Sequence, residues 1–131
     1  MLRLAIVIKE SKDGKRKIAI DLDNAIDVKT FLKKYKLIKK FELICEVILN
    51  GIRNAELYDK ENINQRCKDV TAMKFKGRQN ARIYCKEVKQ EDKTLVIIAA
   101  ELLVKKKNQK NKHTENTLIK KVSTYVYKIE N

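Results

Sequence analysis

The sequence predicts an α+β fold on a mostly antiparallel sheet. Three observations carry this. Two alternating apolar stretches flank an Asp-Gly pair near the N-terminus. Two segments then repeat their apolar residues at helical spacing. Three further strand-like stretches precede a last helix-period segment. The predicted order is β-β-α-α-β-β-β-α: an N-terminal hairpin, two packed helices, a strand meander and a C-terminal helix.

The hairpin comes from "LRLAIVIKE", with Leu2, Leu4, Ile6 and Ile8 on one face, and "KIAIDL", with Ile18, Ile20 and Leu22 on one face. Between them Asp13-Gly14 supplies the positive φ angles of a tight turn. Asn24 then offers an N-cap to a helix carrying Val28, Phe31, Leu32 and Tyr35 at helical spacing. A second helix is predicted from about Phe41, its stripe formed by Phe41, Ile44, Cys45, Ile48 and Ile52 and widened by Leu43 and Val47, so that it is mostly buried.

From Val70 the alternation sets Met73 and Phe75 against Lys74 and Lys76. Gly77 and Asn80 bracket a turn, and the next strand sets Ile83 and Cys85 against Arg82, Tyr84 and Lys86. Each of these two strands therefore pairs a core face with a cationic face. "TLVIIAAELLV" is apolar almost throughout, as a central strand buried on both sides requires. A basic stretch "KKKNQKNKH" follows. Thr114 is the predicted cap of a last helix with the stripe Leu118, Val122, Tyr125 and Ile129.

The chain of 131 residues has no proline and three glycines, with no linker or internal repeat. One domain over 1–131 is predicted, the hairpin occupying 1–23 and the remaining core 24–131. No apolar run reaches the length of a membrane span, and the N-terminal run has neither a charged segment before it nor a small-residue cleavage site after it. Cys45, Cys67 and Cys85 form no CxxC pair, and His113 is the single histidine. The expectation is free thiols in a reducing cytoplasm and no zinc site. No small-molecule cofactor and no membrane partner are expected.

The formal net charge is +14, which favours a polyanionic partner. The charge is uneven. Lys29, Lys33, Lys34, Lys36, Lys39 and Lys40 lie on or just after the first helix with no acid between them, whereas residues 41–67 hold five acids against three basic residues.

In the order "MKFKG", "NARIY", "LVIIAAELLV", "KKKNQKNKH" and "TENTLIKKVSTY", the chain resembles the RelE/HigB-type toxins of bacterial toxin–antitoxin pairs, over about Asn24 to Ile129. The resemblance implies two helices packed on an antiparallel sheet and cleavage of mRNA in the ribosomal A site without a metal. Its sister group, the ParE type, poisons DNA gyrase. The resemblance also implies a cognate antitoxin, acidic or amphipathic, that wraps the toxin. Where the family carries a strand arginine, Lys74 stands here.

Metal-free cleavage of RNA needs the 2′-hydroxyl deprotonated, the phosphorane stabilised and the leaving 5′-oxygen protonated. Clustered cations do the second task and lower the pKa of a neighbouring Lys or Tyr. Arg82, with its fixed fork of donors, and Lys74 and Lys76 are the expected phosphate ligands. Tyr127, off the helical stripe, or a nearby lysine is the candidate for proton transfer. Arg78, Tyr84, Lys86, Lys105, Lys106 and Lys107 are candidate RNA contacts: Tyr84 as a stacking platform or a cover for the sheet, and the loop lysines as backbone contacts or a solvated run. Tyr125 is expected in the core, and His113 either as a general acid or in a loop or cap role. The alternative is a basic module that binds RNA or poisons gyrase without chemistry.

Overall fold

The computed structural model describes residues 2–77, 80–105 and 112–131. The chain opens with β1 (Leu2–Glu10) and β2 (Arg16–Asp21), followed by α1 (Ala25–Lys34) and α2 (Ile38–Leu49). A short strand β3 (Tyr58–Lys60) and a 3-10 turn (Gln65–Cys67) lead into β4 (Val70–Phe75), β5 (Asn80–Lys89) and β6 (Leu95–Lys105). The chain then forms α3 (Lys112–Ser123) and β7 (Val126–Glu130).

The seven strands form one sheet in the order β3-β4-β5-β6-β2-β1-β7. β6 is central, as its apolar run predicts, and Val96 to Ala100 are fully buried. The sheet is mixed, which corrects the mostly antiparallel expectation: β2 runs parallel to β6, and β1 parallel to β7. Parallel neighbours need a crossover connection. Here α1, α2 and three antiparallel strands intervene before β6 is laid against β2.

The helices cover both faces. Val28, Phe31 and Leu32 of α1 and Phe41, Ile44, Cys45 and Ile48 of α2 pack over Ile18, Ile20, Met73, Phe75, Ile83, Cys85 and Ile97. On the other face, Ile119 and Val122 of α3 pack with Cys67, Val70, Ala72, Tyr84 and Ala100. Ala5, Ala19, Val96 and Ile98 form a third cluster, against Tyr127 and Ile129. This second cover corrects the expected open face on β4 and β5: alternation shows which side chains share a face, not what lies over it.

Other elements shift for identifiable reasons. The hairpin forms, but only Gly14 of the Asp13-Gly14 pair has positive φ, at 73°. Ser11 N–H bonds Arg16 O across the loop, and the Asp13 carboxylate accepts from Ser11 Oγ and Lys15 N. On β1 it is Ala5 that is fully buried, while Leu2 and Ile8 of the opposite set are exposed. Asn24 stands at the N-cap of α1 without a capping bond from its side chain; its amide donates to Ala100 O at 2.6 Å instead. α2 starts at Ile38, earlier than expected, and leaves Leu43 and Ile52 exposed. Gly51, at φ 67°, follows its C-cap, where that conformation suits glycine. Thr114 lies inside α3, which begins at Lys112. The helix ends at Ser123, so Tyr125 and Ile129 do not continue its stripe; the chain leaves to form β7. Among the described residues no helix is long and apolar enough to cross a membrane.

Candidate nucleic-acid interface

Lys74 and Arg82 are direct partners across the antiparallel β4–β5 pair. Asn80 and Lys105 are partners across β5–β6. Lys74, Lys76, Asn80, Arg82 and Lys105 line one pocket of about 240 Å³. Two like charges opposite each other on neighbouring strands destabilise a sheet, and here each is met by an oxygen. Lys74 Nζ donates to Ala55 O at 3.0 Å. Arg82 Nη1 pairs with Glu61 Oε1 at 2.8 Å, with the two side chains 27% and 12% exposed. Lys105 pairs with Glu115 in the first turn of α3. Lys76 is exposed, and Asn80 Oδ1 accepts the Gly77 N–H.

The candidate residues therefore divide. Lys74, Lys76, Arg82 and Lys105 come together. Arg78, Lys106 and Lys107 lie outside the described residues. Tyr84 is fully buried under α3 and offers no stacking surface; burial, with Glu115 and Glu61 nearby, raises its phenol pKa. Lys86 turns into the fold. Its ammonium donates to the carbonyls of Ser123 and Tyr125, and burial lowers its pKa. It ties down the exit of α3 and does not line the pocket of Lys74 and Arg82. His113 is exposed at the start of α3.

Tyr127 is not the exposed tyrosine expected beside the cations. It lies on β7, paired with Arg3 of β1, and its hydroxyl donates to Asp21 Oδ2 at 2.6 Å. Arg3 Nε donates to the same oxygen at 2.8 Å, and its guanidinium lies 4.0 Å from the Tyr125 ring centroid. Tyr125 in turn donates to Glu101. Asp21, Arg3, Glu101 and both tyrosines thus form a second polar cluster, separate from the pocket. Reading Tyr127 as part of a helix placed it beside Lys120; as a strand residue it packs against the cluster of Ala5, Ala19, Val96 and Ile98 instead.

Sequence reasoning missed Glu61 and Glu115 as partners of the cationic residues, and Asp21 as a buried anchor. Glu61 sits 21 positions from Arg82, with no periodic signal joining them.

No protein-family model, no curated protein and no solved structure matches this chain.

Proposed function

We propose that the chain is a toxin of the RelE/HigB type that cleaves ribosome-bound mRNA without a metal, its phosphate seat being the pocket of Lys74, Lys76, Arg82 and Lys105. The observation that supports this most is the Lys74–Arg82 pair. Two cations directly opposite each other cost a sheet stability, and a pocket with four cationic side chains on its wall suits a phosphodiester passing to a phosphorane. With Tyr127 committed to Asp21, proton transfer in this reading falls to a lysine of the pocket. The partners are mRNA on the ribosome and a cognate antitoxin, and the setting is the cytoplasm.

A second reading has its own support. Arg82 is held by Glu61, and the two tyrosines off α3 are held by carboxylates. These commitments favour a module that binds RNA or poisons gyrase without chemistry. Induced expression in a bacterial host, followed by mapping of mRNA 5′ ends, separates the readings. New ends at A-site codons support the nuclease. Growth arrest without new ends supports the gyrase poison. No arrest, with salt-dependent binding of RNA, supports the plain binder.

A further inference from the structure

Two cations of the pocket, Arg82 and Lys105, are each engaged by a carboxylate of the same chain, Glu61 and Glu115. The Tyr84 side chain is fully buried on the same side of β5, and its hydroxyl proton has no acceptor among the described residues. Glu115 and Glu61 act on that phenol electrostatically, and the Arg82 guanidinium lies close enough to lower its pKa as a donor to its oxygen. A buried hydroxyl proton without an acceptor costs stability, and a carboxylate released from Arg82 would satisfy it.

Glu61 is placed to move. It follows edge strand β3, its N–H bonds Val70 O at the end of the β3–β4 ladder, and the next residue, Asn62, turns the chain with φ 43°. Its carboxylate is thus carried one residue past the last β3–β4 pair, at the edge of the sheet.

We propose that Glu61 is an internal latch on the anion site: its carboxylate occupies Arg82 until a phosphate group displaces it, and the displaced carboxylate accepts the Tyr84 hydroxyl. The ligand class is a phosphate monoester or diester. This deepens the proposed function, since it rests on the same pocket, but it requires neither RNA nor cleavage. The exchange adds one hydrogen bond. Arg82 trades one oxyanion for another, and the orphaned phenol gains an acceptor. The carboxylate's charge opposes an incoming dianion only a few ångströms away, so its removal should strengthen anion binding on the order of tenfold.

The test uses the full chain. Inorganic phosphate and a labelled single-stranded RNA oligonucleotide are titrated separately into wild type, Glu61→Gln, Tyr84→Phe and the double variant, with amide shifts of β4 and β5 followed by NMR. Glu61→Gln is expected to bind phosphate on the order of tenfold more tightly. Tyr84→Phe should weaken binding in the wild-type background, where the displaced carboxylate loses the hydroxyl that donates to it, and should have a smaller effect once Glu61 is Gln. If Glu61→Gln fails to fold, Glu61→Asp, which keeps the charge but shortens the reach, should move phosphate affinity in the same direction by less. Equal or weaker phosphate binding in the Glu61 variants overturns the latch, as does a Tyr84→Phe effect of the same size in both backgrounds. Tighter phosphate binding without any RNA binding upholds the latch and overturns the RNA reading. RNA binding without the phosphate gain does the reverse.

Discussion

The Tyr127 hydroxyl donates to Asp21 Oδ2 at 2.6 Å, joining residues 106 positions apart in the chain. The same oxygen receives Arg3 Nε at 2.8 Å, and Oδ1 accepts the Asp23 N–H at 2.9 Å. One buried carboxylate therefore ties together β1, the end of β2 and β7. Tyr127→Phe removes one hydrogen bond to a charged group and is expected to cost about 1.5–3 kcal/mol. Asp21→Asn should cost more, because it leaves Arg3 beside a neutral amide. Urea unfolding of both variants checks this; an unchanged midpoint for Tyr127→Phe would show that the bond contributes nothing net.

Stability should fall at alkaline pH. Burial first, then the bonds to Asp21 and Glu101, hold the Tyr127 and Tyr125 phenols above their ordinary range. Burial does the same to Tyr58 and Tyr84. A phenol whose pKa is raised on folding contributes stability that is whole below its unfolded value, about 10, and is lost as pH rises beyond it, because the unfolded chain then releases protons that the folded chain retains. Phenolate absorbance from these four residues should therefore appear together with the loss of circular dichroism. Their titration in a chain that keeps its native signal would contradict the burial.

Thiol chemistry reports on the core. Burial pushes the Cys45 thiol up to about 12 and raises Cys85 as well; all three cysteines are free and buried. Because the thiolate is the nucleophile, iodoacetamide at neutral pH should modify Cys45 and Cys85 only as fast as the protein opens. Mass spectrometry with and without urea reads this directly.

Both faces of β6 should be equally sensitive. Ile97 faces α1 and α2, Ile98 faces the opposite cluster, and both are fully buried. Ile97→Ala and Ile98→Ala should each cost about 2–5 kcal/mol. A sheet covered on one side only would spare one of them.

Salt dependence locates the polyanion. If Lys74 and Lys76 each meet one phosphate of single-stranded RNA, each alanine variant should reduce the slope of log K against log salt by about 0.7. Lys29→Ala, on α1 across the sheet, should leave the slope unchanged. Equal reductions at all three positions would point to diffuse attraction by the whole surface.

The sequence by itself determined the elements whose signals are local. The hairpin around Gly14, the stripes of α1 and α2, and β6 as the central strand can all be read from alternation, helical spacing and one uninterrupted apolar run. So can the meeting of Lys74, Lys76 and Arg82, because a two-residue period across a short turn brings them onto neighbouring strands. Tertiary structure decided what lies over each face and which way distant strands run. Pairing β2 parallel to β6, and β1 parallel to β7, depends on how the chain closes its crossovers, which no window of neighbouring residues records. Tyr125, Val126, Tyr127 and Ile129 suit a helix by spacing and a strand by β propensity; the exposed edge of β1 and the Asp21 carboxylate resolve the choice in favour of a strand from Val126. The same long-range packing brings Glu61 to Arg82 and Glu115 to Lys105. A charge finds its partner through the fold, because the Coulomb energy depends on separation in space and not along the chain.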